Sequence, residues 1–322
     1  MAGFIIRRLL LALPVILGAT AIVFFSIRLV PGDVIDAQIS GSAWLSQEQQ
    51  AQMRSDLGID KPAITQFFVY LADLAQGDLG RSFRTGDAAH VEIIERMSLS
   101  IELAALSVVF SILLAIPIGI IAALYRDKWF DYLVRTISVL GVAVPHFVLA
   151  SIVVVFSAAW FDYAAPLGYS DFFDSPSKNL QQVLPAAIVL GIGQSAISMR
   201  LVRSMMLEVL QEDYMRTARA KGLSSRTVLL THGLRNALIP VVTVWGTSFG
   251  YLLGGQVIVE HIFRLPGVGS LIVESLGQRD YPVLQACVLF MAIAFSAVNL
   301  GIDVLYGYLD PRVRYAAAKA SA

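Results

Sequence analysis

Six apolar stretches, each close to the length that crosses a bilayer, constrain this chain more than any other feature. They run over residues 9–30, 99–125, 133–160, 183–202, 237–259 and 284–305. About 20 such residues in helical form span roughly 30 Å of hydrocarbon, and a helix is one of the few structures that satisfies its own backbone there. The pattern predicts an all-α, polytopic membrane protein with six transmembrane helices. Composition agrees, with 57% of the 322 residues hydrophobic and 15% charged, against about 25% charged in a soluble domain. A soluble core could not bury this much apolar surface, so intrinsic disorder and nucleic-acid binding drop out as classes. Prolines 14, 117, 145, 185 and 240 lie in or at the ends of these stretches, which membrane helices tolerate. The fourth is diluted by Gly191, Gly193, Gln194 and Ser195.

Basic residues set the orientation, because loops rich in Lys and Arg stay on the cytoplasmic side. With the N-terminus inside, that side receives Arg7 and Arg8, then Arg126, Lys128 and Arg135, then the cluster from Arg200 to Arg235, and finally Arg312, Arg314 and Lys319. The balance of 24 basic against 24 acidic residues thus hides a positive inner face and a negative outer one. Both termini are expected in the cytoplasm. Tyr125, Trp129, Phe130 and Tyr132 flank one inner loop, while Trp160, Phe161 and Tyr163 mark an outer end, as interfacial aromatic belts do.

This parity divides the chain into a transmembrane anchor helix (1–30), an extracytoplasmic loop or cap (31–98), a five-helix core (99–306) and a cytoplasmic tail (307–322). Ala19-Thr20-Ala21 resembles a signal-peptide cleavage site, yet the apolar run continues through Ile27, which favours an uncleaved anchor. In the cap, Ser46 with Gln49 reads as a capping box for a short helix ending at Gly58. After Pro62, residues Ile64, Phe67, Phe68, Leu71 and Leu74 recur at helical spacing. Gly77-Asp78-Leu79-Gly80 then reads as a turn. The cap suits either packing on the outer ends of the spans or binding of a solute.

Several chemistries lack their residues. None of the five lysines follows a glycine, so the chain has no phosphate-cradling P-loop. Gly191-Ile192-Gly193-Gln194-Ser195-Ala196 mimics a dinucleotide fingerprint but sits inside a span, where helix packing explains it better. The histidines at 90, 146, 232 and 261 are scattered, which predicts no zinc site. Cys287 is the single cysteine and excludes an internal disulfide. No catalytic residue, metal or cofactor is expected in this chain.

Polar residues inside spans are the default candidates for lining a passage. His146, after Pro145 in the third span, Gln194, Ser195 and Ser198 in the fourth, Gln256 in the fifth and Asn299 in the sixth qualify. Each suits a helix-to-helix hydrogen bond equally well. Gly246, Gly250 and Gly254 recur every fourth position in the fifth span, a ladder that lets helices approach closely. A secondary transporter or channel driven by ion gradients would need ionisable groups at mid-membrane, and these are nearly absent. Asp303 and Glu102 lie near span ends. That transporter and a noncatalytic scaffold are the alternatives from other classes.

The longest inner loop holds Glu212-Asp213-Tyr214-Met215-Arg216-Thr217-Ala218-Arg219-Ala220-Lys221-Gly222. Acids that open the segment and bases that close it suit a helix dipole, and Gly222 is placed for a left-handed cap. The expectation is a short cytoplasmic helix over about 212–222, with Ser224 or Ser225 capping the next. Small Ala218 and Ala220 beside Arg216, Arg219 and Lys221 give a compact knob with a charged rim. Composition alone leaves open whether this is a docking element or a basic loop that only fixes orientation.

The run Tyr214 to Leu223, followed by Leu234-Arg235-Asn236-Ala237-Leu238-Ile239-Pro240, resembles the cytoplasmic loop of ABC-importer permeases of the dipeptide/oligopeptide/nickel group, and within it the B-type, or first, permease. Arg7-Arg8, Val30-Pro31-Gly32-Asp33, Leu57-Gly58-Ile59-Asp60-Lys61-Pro62 and Gly77-Asp78-Leu79-Gly80-Arg81-Ser82 carry the same resemblance across nearly the whole chain. Where the wider importer motif begins Glu-Ala-Ala, this sequence has Arg216-Thr217-Ala218. The resemblance implies a noncatalytic subunit of the bacterial inner membrane. Its partners would be a second homologous permease, two cytoplasmic ABC ATPase subunits holding ATP and Mg²⁺, and an extracytoplasmic solute-binding protein. It implies that Glu212, Tyr214, Arg216, Ala218, Arg219, Ala220, Lys221 and Gly222 form the ATPase-coupling helix. The solute implied is a dipeptide or oligopeptide, with glutathione or a nickel chelate as alternatives.

Overall fold

The computed structural model describes residues 2–29, 35, 47–56, 58–162, 168–254 and 256–309. The Val30 to Asp33 motif, the Ser46 cap, Tyr163, and Arg312, Arg314 and Lys319 of the tail lie outside the described residues. In chain order the helices are α1 (Ala2–Arg28), α2 (Gln47–Asp56), α3 (Ala63–Ala75), α4 (Ala89–Leu124), α5 (Trp129–Ala143), α6 (His146–Phe161), α7 (Pro176–Val209) and α8 (Asp213–Ala220). A single turn (Ser225–Thr227) and a π-helical stretch (Val228–Leu234) lead into α9 (Arg235–Leu253), which is followed by α10 (Val257–Phe263), α11 (Val268–Gly277) and α12 (Tyr281–Leu309). Among the described residues the only β pairing is an isolated bridge between Arg81 and Ala88.

Among the described residues five segments are long and apolar enough to cross a membrane, and α5 with α6 makes a sixth if the bent pair is one span. That bend corrects the expectation of one straight helix over 133–160. The two helices meet at 97°, because Pro145 lacks an N–H and drives the residue before it out of the helical region. Val144 accordingly sits at φ −82°, ψ 119°. The fifth expected span, 237–259, also stops short. The helix ends at Leu253, with Gly254 as its cap residue, and α10 starts afresh at Val257.

Two compact units divide the chain, residues 1–100 with 266–296 and residues 101–265 with 297–322.

In the first unit, Phe24 near the end of α1 takes Phe67 edge-on at 5.1 Å and Tyr70 stacked at 5.6 Å. Of the apolar stripe of α3, Phe67 thus meets α1 together with Tyr70, whereas Ile64 and Phe68 remain exposed. The Arg28 guanidinium rests over the Phe24 ring and donates to Gln66 Oε1 at 2.8 and 3.0 Å. Burial pushes the Tyr70 phenol up to about 12, so it stays neutral. A second core gathers Ala89, Ile93, Val268, Leu271, Val283 and Cys287. Around it, Ser82 Oγ donates to Asp280 Oδ2 at 2.5 Å and the Phe83 N–H to Oδ1 at 3.1 Å. Arg96 pairs with both oxygens of Glu274. In the Gly77 to Ser82 motif, Gly80 at φ +86° donates its N–H to Asp78 Oδ1.

The second unit is built around α7. Two-thirds of its most apolar window is buried (67%), against 17% for α1, which explains its dilution by small and polar residues. A helix that faces other helices rather than lipid needs close approach, not bulk. A Cβ on Gly191 would lie 2.8 Å from the Ser107 carbonyl oxygen of α4, one on Gly119 2.7 Å from Val202, and one on Gly141 of α5 2.8 Å from Ala196. On Gly193 it would strike the His146 ring of α6.

Candidate coupling site

The segment between α7 and α9 carries the residues singled out by sequence. The extended backbone of Glu212 (φ −64°, ψ 145°) precedes α8, which runs for eight residues with Asp213 in its first turn and Arg219 in its last. Such charges oppose the helix dipole favourably at each end. Gly222 then sits at φ +79°, and the Leu223 N–H reaches back to the Ala218 carbonyl at 3.4 Å. The Ser224 hydroxyl accepts the Thr227 N–H and starts the next element.

Three contacts seat α8. Met215 and Ala218, three residues apart and so on one face, are buried with Val228 against Val209 and Leu210 at the end of α7. Gly233 in the π-helical stretch comes so close that a Cβ there would lie 3.3 Å from Met215 Cε. Asn236 Nδ2 donates to Tyr214 Oη at 2.9 Å and to the His232 carbonyl at 3.1 Å. One face of α8 is thereby fixed to the adjoining ends of α7 and α9. Glu212, Arg216, Arg219, Ala220, Lys221 and Gly222 are exposed on the rest of its surface, as is much of Tyr214. Ala218 departs from the docking set read from the sequence. At 7% exposure it faces its own chain, so its small size serves the seating of α8. The Met215, Val228 and Gly233 contact was missed, and the spacing of Met215 and Ala218 was the available signal.

The pathway candidates separate into two groups. Ser198 is fully buried, accepting Trp245 Nε1 of α9 at 3.0 Å and Ser111 Oγ of α4 at 3.4 Å while donating to the Gln194 carbonyl. Gln194 donates its amide to Ser248 Oγ of α9, and buried Ser195 donates to the Ile192 carbonyl within its own helix. Ser198 and Gln194 therefore tie helices together, and Ser195 is turned inward. His146, Gln256 and Asn299 are half-buried; the Nδ1 of His146 has no partner among the described residues. Of the glycine ladder, Gly246 makes the close approach expected, since a Cβ there would lie 2.5 Å from Ile302 Cγ1 of α12. Gly250 is buried, and Gly254 ends α9 instead of packing within it.

Sequence reasoning also missed a buried ionic cluster. Asp131, at 0% side-chain exposure, accepts Arg203 of α7 through both nitrogens Nε and Nη2 and Arg135 one turn along α5 at 2.6 Å. The backbone N–H of Asp127 adds a further bond at 3.0 Å. Two cations and an amide compensate one buried carboxylate, the condition under which burial of charge is tolerated.

Bilayer-length helices, tied to one another by buried polar side chains and bearing a short helix on the loop between two of them, place this chain in the class of polytopic helical membrane proteins. The chain belongs to the family of binding-protein-dependent transport system inner membrane components, whose model matches residues 115–315, while the N-terminal model of that family matches residues 1–104. It is a permease subunit of an ABC importer, as the loop motifs implied. A putative peptide transport system permease protein of Brucella abortus is 40% identical over 98% of this chain and 100% of its own length. The glutathione transport system permease protein GsiC of Salmonella typhimurium is 38% identical over 98% and 100%. Among solved structures, an inward-facing MetNI methionine ABC transporter superposes with a TM-score of 0.54 at 15% identity, covering 68% of this chain and 96% of that one. At that identity the likeness concerns the fold alone.

Proposed function

We propose that this chain forms half of the pathway through which a bacterial inner-membrane importer takes up a peptide or a peptide-like solute such as glutathione. The ATP is hydrolysed on separate subunits. The seating of α8 is the observation that carries this reading. A short helix held by its Met215 and Ala218 face against α7 and the π-helical stretch transmits a push on its exposed face to two bilayer-length helices. A rigid element of this kind is what a two-state transition requires. The exposed rim of Glu212, Arg216, Arg219 and Lys221 offers charged contacts to an ATPase groove. With α8 in the cytoplasm, the basic loops fall on the inner side and both termini lie inside. A second permease of the same family would complete the pathway, and an extracytoplasmic binding protein would deliver the solute. The names of the relatives support peptide or glutathione as cargo.

Reconstitution tests this reading. In liposomes holding the chain with its partner permease and ATPases, a dipeptide or glutathione should accumulate only with ATP and the binding protein present. Accumulation by the chain alone would overturn the proposal.

A further inference from the structure

Next to the buried Asp131 a cavity of about 500 Å³ opens between α5 and α7. Its walls include Arg126, Asp127, Arg135, Ser138, Arg200 and Arg203. Four guanidinium groups thus meet one carboxylate at the wall, with Asp131 behind it, and the balance is positive. Arg126, Arg135 and Arg203 are engaged with Asp127 or Asp131. Arg200 makes no ion pair or hydrogen bond among the described residues. Ser138, at 2% exposure, has a buried hydroxyl without a partner among the described residues and lines the same cavity. A buried unpaired hydroxyl costs about 1–3 kcal/mol, so a free cation and a free donor facing one space indicate an anion with several acceptor oxygens.

Position narrows the class of that anion. Trp129 and Tyr132, in the first turn of α5, are 75% and 55% exposed, as aromatic side chains are at headgroup depth. From there Leu133, Ile137 and Leu140 form an exposed apolar stripe along the same helix, at the spacing of one helical face. A phosphate held at headgroup level beside an apolar stripe matches a phospholipid, its acyl chain lying along α5. Net positive lining disfavours a zwitterionic headgroup, whose own ammonium would meet the arginines. We propose that this cavity binds the phosphate of an acidic phospholipid, with Arg200 and Ser138 as the groups reserved for it. Basic pockets between transmembrane helices are suited to such headgroups.

The full-length chain in mild detergent, titrated with phosphatidylglycerol, phosphatidylcholine or sn-glycerol 3-phosphate and read by native mass spectrometry, tests the site. Phosphatidylglycerol should be retained in preference to phosphatidylcholine. Arg200→Gln should weaken it about fivefold, the equivalent of roughly 1 kcal/mol per basic residue near a membrane surface. Ser138→Ala should also weaken it, whereas Arg226→Gln, an exposed basic residue outside the cavity, should leave it unchanged. Arg200 has no partner among the described residues to lose, so its variant should keep the melting temperature of the parent. Equal retention of the two lipids, or equal loss from Arg226→Gln, would overturn the proposal. Glycerol phosphate binding as tightly as the lipid would reassign the site to a free phosphate. Loss of the lipid from the assembled transporter would make the cavity a protein contact instead.

Discussion

At the scale of single residues, Gly222 combines local geometry with the proposed function most directly. Its φ of +79° lies in the left-handed region, where an L side chain costs roughly 1–2 kcal/mol. A Cβ there would meet no atom of the described residues within 4 Å, so the penalty is conformational and not steric. Gly222→Val should therefore leave insertion of the chain intact and let the C-terminal end of α8 unwind. In the assembled transporter, ATP hydrolysis should continue while solute uptake falls at least tenfold. Gly222→Asn should keep most of the uptake, because asparagine visits this region with far less strain. Equal uptake by glycine and valine forms would show that the cap is not needed for coupling. Arg203 illustrates the opposite kind of residue. Its role is fixed by a partner, Asp131, that lies 72 positions away in sequence, and no local pattern announces it.

At the scale of elements, close approach of helices sets most of the architecture of the second unit. Gly246 shows how sharply. The 2.5 Å separation between a Cβ placed there and Ile302 Cγ1 is shorter than atoms allow. Gly246→Leu should force α9 and α12 apart and cost about 1–3 kcal/mol, as overpacking does. Adding Ile302→Ala should restore part of the loss, and thermal unfolding in detergent compares the single and double variants. Additive losses would mean the two helices do not meet through these residues. Spans of bilayer length were legible because lipid imposes one requirement, a long apolar helix, that composition alone reveals. The break at Pro145 was not, since membrane helices also hold proline without a break, as Pro117, Pro185 and Pro240 do inside α4, α7 and α9. Nor was the π-helical stretch over Val228–Leu234, in which Gly233 lies against Met215, a residue 18 positions away. The α8 segment was legible because its charges, its stop at Gly222 and the Ser224 cap are all local signals. Gln194 and Ser198 were visible as polar residues in a span, but whether such a side chain faces a passage or another helix depends on what stands opposite. Here it is Ser248 and Trp245.

At the scale of the whole molecule, the chain returns after 165 or more residues to complete its first unit, because residues 266–296 join residues 1–100 there. The family's N-terminal model stops at residue 104, so the returning segment is supplied by the part that matches the main model. What ties the segment in is polar and specific. Asp280 is 3% exposed and accepts from the Ser82 hydroxyl and the Phe83 N–H, while Arg96 reaches Glu274 and the Val268 N–H donates to Ser100. Removing the carboxylate strands the buried Ser82 hydroxyl, at about 1–3 kcal/mol, and takes the acceptor from the half-buried Phe83 N–H. Asp280→Ala should thus raise amide exchange in residues 77–97 and 266–290 by about tenfold or more, since each 1.4 kcal/mol is a factor of ten. Exchange in α7 and α9, whose contacts lie in the second unit, should remain as in the parent. Asp280→Asn, which keeps an acceptor oxygen for Ser82, should produce a smaller rise. Hydrogen-exchange mass spectrometry in detergent resolves all four segments. A uniform increase across the chain would show that Asp280 supports global stability, and no increase near residue 82 would show that the returning segment is held by its apolar core alone.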